Sequence, residues 1–120
     1  MTVKDIVDKA LRVAVIEAIG VYTSDGKLVY SSEKWPANAD VKPGLNAWNT
    51  DTDEFMLAGD KYLVLRKDED ILAATSTAKG PLLLAKSKTG KYVIFAKLKP
   101  GAEMGEIGME ISDLAYALEA

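Results

Sequence analysis

Glu54-Phe55-Met56-Leu57-Ala58-Gly59-Asp60-Lys61-Tyr62-Leu63-Val64-Leu65-Arg66 is the stretch on which the fold turns. Two apolar runs, 54–57 and 62–66, flank the turn pair Gly59-Asp60, so the stretch reads as two antiparallel strands. The pattern continues downstream with strand-like runs at 71–75, 82–86 and 92–98. Each gap carries turn chemistry: 67–70, then Lys79-Gly80-Pro81, then Thr89-Gly90. Short strands at this spacing predict an antiparallel meander.

Upstream, Val3, Ile6, Val7, Ala10, Leu11 and Ala14 recur at the helical period, which predicts a helix over 2–16. Thr2 and Asp5 form a capping-box start with Asp in place of Glu. Ile19-Gly20-Val21-Tyr22-Thr23 reads as a strand, Asp25-Gly26 as a two-residue hairpin turn, and Leu28-Val29-Tyr30 as the returning strand. Residues 33–51 are polar and contain Pro36, Pro43 and Gly44, with room for one short helix within 38–48. Residues 103–118 close the chain as a helix striped by Ile107, Ile111, Leu114 and Leu118. Glu103, Glu106 and Glu110 in its first turns offset the helix dipole. The order implies an α+β fold, an antiparallel sheet of about seven strands with N- and C-terminal helices. Both helices are expected on one face, which leaves the other face and the hairpins for function.

The length of 120 residues fits one domain. The chain has no cysteine, hence no disulfide scaffold, thiol nucleophile or zinc-thiolate cluster. It has no histidine, which removes the commonest general base and metal ligand. No apolar run approaches the roughly 20 residues of a membrane span. The opening Thr2-Val3-Lys4-Asp5 does not read as a signal peptide, so a cytoplasmic location is expected.

No phosphate loop occurs, and Gly105-x-x-Gly108 is only a glycine pair near a helix start. Asp68-Glu69-Asp70 reads as a solvated turn. Trp35 and Trp48 read as core or lid residues. No enzyme, cofactor, metal site or nucleic-acid partner is expected. Residues 61–99 hold nine basic residues against Asp68, Glu69 and Asp70, so this half is basic within a chain of net charge −3. Lys86 and Lys88, and Lys97 and Lys99, are spaced to share sheet faces. They form either a solvated face or a patch for an anionic partner.

Periodicity yields no function beyond this; resemblance does. The stretch from Met56 to Arg66 resembles the profilin segment apolar-Leu-Gly-Gly-x-Lys-Tyr/Cys-x-Val-Ile-Arg. Lys88-Thr89-Gly90-Lys91-Tyr92-Val93-Ile94-Phe95 is similar to the family's Lys-Thr-Gly/Asp strand. Val7-Asp8, Leu11, Asp25-Gly26, Ser31-Ser32 and Trp35-Pro36 fall in the family's order. The resemblance spans the chain and implies a single profilin-like domain over 1–120, closer to archaeal than to animal forms.

The resemblance implies a cytoplasmic, cytoskeletal protein that binds monomeric actin and regulates filament assembly. The strand residues carried over as actin contacts are Lys61, Leu63, Val64, Leu65 and Arg66, with Lys79 and Leu83 as neighbours. From the last loop and helix come Ala102, Glu103, Gly105, Gly108, Met109 and Asp113. Two basic positions of the animal form fall on Leu72 and Ala74. The aromatic positions that hold proline-rich ligands in the family fall on Val3, Ile6, Val29 and Ala117, so that groove reads as degenerate. Tyr30 and Tyr116 lie one residue away, and on a strand such a shift points a side chain to the other face. Lys86, Lys88, Lys97 and Lys99 are the candidates for phosphoinositide or other anionic phospholipid headgroups. The alternative is a roadblock/longin-type scaffold module that binds small GTPases.

Overall fold

The computed structural model describes residues 2–118, with only the backbone of Glu106. Helix α1 spans Val3–Leu11. Its N-terminus carries the predicted capping box: the Asp5 N–H donates to the Thr2 hydroxyl at 3.1 Å, and the Thr2 N–H donates to the Asp5 carboxylate at 3.2 Å. The helix stops four to five residues short of the predicted end. Val13, Val15 and Ile16 are β-branched, and strand pairing claims them: the Lys99 N–H donates to the Val15 carbonyl at 2.8 Å, and Ile16 opposes Leu98.

Strand β1 (Ile16–Thr23) turns back into β2 (Leu28–Ser31). The turn is a three-residue loop, not the expected two. The Thr23 N–H donates to the Lys27 carbonyl at 2.8 Å, and the Gly26 N–H donates to the Thr23 carbonyl at 3.0 Å. Gly26 holds φ at 95°, the left-handed position that this loop requires. A bulge follows: Val21 opposes Tyr30 and Tyr22 opposes Leu28, so Val29 is the extra residue.

Helix α2 (Lys42–Asn49) forms where the sequence carries only a weak signal. Long-range bonds hold its C-terminal end. The Lys67 ammonium donates to the Ala47 carbonyl at 2.8 Å and also to the Thr50 carbonyl. The Trp48 indole N–H donates to the Asp68 carbonyl at 2.7 Å.

The predicted meander is present as β3 (Glu54–Leu57), β4 (Asp60–Lys67), β5 (Ile71–Ser76), β6 (Gly80–Lys86) and β7 (Tyr92–Leu98). Helix α3 (Gly105–Ala117) follows. One seven-stranded antiparallel sheet results, in the order β2-β1-β7-β6-β5-β4-β3.

The expectation of a free second sheet face is overturned. Helices α1 and α3 cover one face with a core built on Ile6, Val7, Ala10, Leu83, Ile94, Ile111 and Ala115. The other face carries a second core from α2 and the preceding segment, with Trp35, Val41, Trp48, Phe55, Tyr62, Leu84 and Phe95. The Trp35 indole N–H donates to the Tyr22 hydroxyl at 2.8 Å. Gly20 makes room for that indole, since a Cβ there would lie 2.5 Å from its Nε1. β6 and most of β7 are therefore buried on both faces, which their near-continuous apolar runs permit.

Candidate functional site

Coverage of the sheet is incomplete on one side. Helix α3 packs on β6 and β7, and α1 packs on β1. The same face of β3 and β4 has no helix over it, and α3 reaches β5 only at its edge, where Ile71 and Ala73 pack against the α1/α3 core. Here Met56 is 50% exposed, Leu63 45% and Leu65 57%, and across from them Met109 of α3 is 71% exposed. Between α3 and β4 runs an open groove of about 620 Å³. Leu65, Arg66, Ile71, Ala73 and Leu83 line its sheet side, and Met104, Gly105, Gly108, Met109 and Ser112 line its helix side. Gly108 brings the helix close, because a Cβ there would come within 3.2 Å of Ile71 Cδ1.

Strand alternation explains part of this surface and a bulge explains the rest. Leu63 opposes Thr75, and Met56 opposes Lys61, all on the α3 side. Tyr62 and Val64 face the α2 side, where Val64 packs against the core. Val64 is thus a correction to the contact strip carried over from the resemblance. Plain alternation would send Arg66 the same way. Instead the register shifts between Val64 and Arg66, and Arg66 opposes Ala73 on the groove side, with Leu65 as the extra residue. Lys67 then opposes Leu72 and reaches α2.

The remaining carried-over residues separate by burial. Leu83 is a buried part of the groove floor. Ala102 is half-buried against the α1/α3 core. Glu103, Gly105 and Asp113 are exposed, and Lys79 is exposed in the β5–β6 turn, outside the groove wall. Leu72 and Ala74, the two positions that are basic in animal forms, are wholly buried in the α2-side core.

The turn 67–70, read as merely solvated, forms one end of the groove. Asp68 Oδ1 accepts the N–H groups of Asp70 and Ile71, each at 2.9 Å. Its other oxygen pairs with Arg66 at 3.4 Å. These backbone N–H groups, with the guanidinium, hold the Asp68 carboxyl below its ordinary pKa. The Tyr116 hydroxyl donates to Asp70 Oδ1 at 3.1 Å, and that carboxylate raises the phenol pKa. Lys61 pairs with Glu54 at 2.9 Å.

Of the other two residue sets, the first comes together at three of its four positions and the second disperses. Val3 and Ala117 are half-buried and Ile6 is buried, all within or against the α1/α3 core. Val29 is exposed and belongs to neither core. Tyr30 packs against the α1/α3 core instead, because the β2 bulge cancels the one-residue shift. The four lysines do not converge. Lys86 lies with its ammonium 4.3 Å from the centre of the Trp48 ring, and Lys97 opposes Leu82 on that same α2 side. Lys88 and Lys99 flank opposite ends of β7, about 20 Å apart for a strand of seven residues. Among the described residues there is no acidic cluster able to hold a metal ion, and no helix long and apolar enough to cross a membrane.

A curled seven-stranded antiparallel sheet, with the terminal helices on one face and a short helix on the other, defines the class of protein. Comparison with solved structures gives the class its name. The chain is similar to LokiProfilin2, solved in complex with rabbit actin, at 22% identity over 98% of this chain and 97% of that one, with a TM-score of 0.79. LokiProfilin1, also solved with rabbit actin, matches at 19% identity over 96% and 92%, with a TM-score of 0.79. Mouse profilin IIa, solved with a double repeat from the FH1 domain of mDia1, matches at 14% identity over 97% and 96%, with a TM-score of 0.76. No family model matches the chain, and no curated protein does. The chain has the profilin fold, as the resemblance in its sequence implies.

Proposed function

We propose that this chain binds monomeric actin one-to-one through the bare half of the sheet and so slows filament nucleation. It works by binding alone, without catalysis or a cofactor, as one cytoplasmic domain over 1–120. The observation that carries the reading is the joint exposure of Met56, Leu63, Leu65 and Met109 on one side of the molecule. An apolar surface of this kind marks a partner site. Two structural neighbours were solved in complex with actin. Lys61 and Arg66 are already paired with Glu54 and Asp68, so binding energy is expected from the leucines at the centre, not from the cations. Proline-rich peptides bind weakly or not at all, since among the described residues Tyr30 is the one aromatic packed against the α1/α3 core. The dispersed lysines disfavour a phosphoinositide patch.

A pyrene-actin assembly assay tests the reading. The native chain lengthens the nucleation lag, and Leu63→Asp with Leu65→Asp abolishes the effect. A double variant that inhibits as well as the native chain would refute the site. A small-GTPase scaffold would leave the lag untouched in both proteins and retain GTPases on a column.

A further inference from the structure

All the sulfur among the described residues gathers on the bare half. The chain has no cysteine and four methionines, of which Met1 lies outside the described residues. Met104 and Met109 line the helix wall of the groove. Met56 stands on β3 opposite Lys61, on the same side of the sheet. Met109 is the most exposed large apolar side chain among the described residues, and Met56 is half exposed. Met104 is half-buried and packs against the α1/α3 core. Trp35 and Trp48 are buried on the opposite face, out of reach of an oxidant in solvent.

Exposure decides which thioethers an oxidant in water reaches, so Met109 and Met56 react before Met104. Hydrogen peroxide transfers one oxygen atom. The sulfur lone pair attacks it, an S–O bond forms, the O–O bond breaks and water leaves. The sulfur loses two electrons and the peroxide gains them. The product is a sulfoxide, a polar group set on a surface that otherwise presents Leu63 and Leu65. A partner that covers this surface must then strip water from the sulfoxide oxygen, which costs affinity unless a donor meets it. We infer that Met56 and Met109 are oxidation sites, and that their conversion by peroxide weakens the hold of this face on actin until sulfoxide reductases restore the thioethers. The inference rests on the actin reading of the same face and adds its regulation.

The test treats the whole chain with hydrogen peroxide, removes the peroxide with catalase, and only then titrates the chain against fluorescently labelled actin monomers, so that actin never meets the oxidant. Peptide mass spectrometry is expected to find one added oxygen at Met109 and at Met56 well before Met104. Affinity falls about tenfold or more once both residues carry it, and reductases for the two sulfoxide epimers restore it. The variant Met56→Leu/Met109→Leu keeps the surface apolar, binds within about twofold of the native chain, and holds that affinity through the same treatment. Both residues are exposed, so the thermal midpoints of this variant and of the oxidised native chain stay within about 2 °C of the untreated chain. An oxidised native chain that binds as tightly as the untreated one overturns the inference, and so does a leucine variant that loses affinity to the same extent. Leu63→Asp with Leu65→Asp separates the two readings. If that variant abolishes binding while oxidation of the native chain changes nothing, the actin site stands and the switch falls. If the untreated native chain does not bind, the actin reading fails and the switch falls with it.

Discussion

The two halves of the helix-side sheet face are built from the same kind of residue and end differently. Under α3, Leu83, Ala85, Ile94 and Ala96 of β6 and β7 are at most 1% exposed. Two strands away, Leu63 and Leu65 of β4 remain about half exposed. Burial of a leucine is worth about 1.5–3 kcal/mol. The fold forgoes that gain at two leucines and two methionines on one surface. Apolar exposure here is decided by what lies over the strand, not by the strand.

The sharpest way to break this comparison is to truncate one apolar residue in each half. Ile111 is fully buried, and Ile111→Ala is expected to lower unfolding stability by about 2–5 kcal/mol in urea titration. Leu65→Ala is expected to stay within about 0.5 kcal/mol of the native chain. Equal losses would show that the bare half is held by something other than the contacts described.

A second effect concerns the rim of the covered half. Loss of two or three aromatic anchors of about 1–2 kcal/mol each weakens polyproline binding by roughly a hundredfold or more. Decaproline is expected to bind more weakly than about 100 μM in calorimetry. Tryptophan fluorescence is a poor reporter here, because Trp35 and Trp48 are both buried in the α2-side core. A tighter constant would show that Tyr30 rebuilds the groove.

A smaller effect comes from the back of β4. Burial, with Asp60 and Glu17 nearby, pushes the Tyr62 phenol up to about 12. A raised folded-state pKa gives stability that is complete below the ordinary tyrosine value of about 10 and is lost as pH rises from there through about 12. Urea midpoints at pH 9 and pH 11 should therefore diverge, and Tyr62→Phe should reduce the divergence. An undiminished decline in that variant would place its origin elsewhere.

Least of all, Tyr116→Phe removes one exposed hydrogen bond to Asp70 and should leave the urea midpoint close to that of the native chain. A clear fall in that midpoint would mean that the bond braces α3 against the bare half.

Much of this molecule was legible in residue order. The capping box of α1, all five strands of the meander and the final helix stand where spacing and turn residues put them. Leu65, Arg66, Gly105, Gly108 and Met109, which only resemblance to a family segment singles out and periodicity does not, line one groove, and Leu63 is exposed on the same side of β4. The groove-facing role of 68–70 was missed, although the turn itself was read, because turn chemistry does not reveal what packs beside a turn.

Element type and order were determined by the sequence alone, since helix period, strand alternation and turn propensity act within a few residues of chain. Where a strand inserts one extra residue opposite its partner was decided only by the tertiary structure. The two bulges carried Arg66 and Tyr30 to faces that alternation denies them, displaced Val29 from its expected place, and left Val64 on the core side. The same holds for α2, whose own signal is weak and whose end is held by the Lys67 ammonium and the Asp68 carbonyl from about twenty residues of separation. Strand pairing and helix docking are settled between distant segments, so no local pattern could show which half of the sheet would be covered and which left bare.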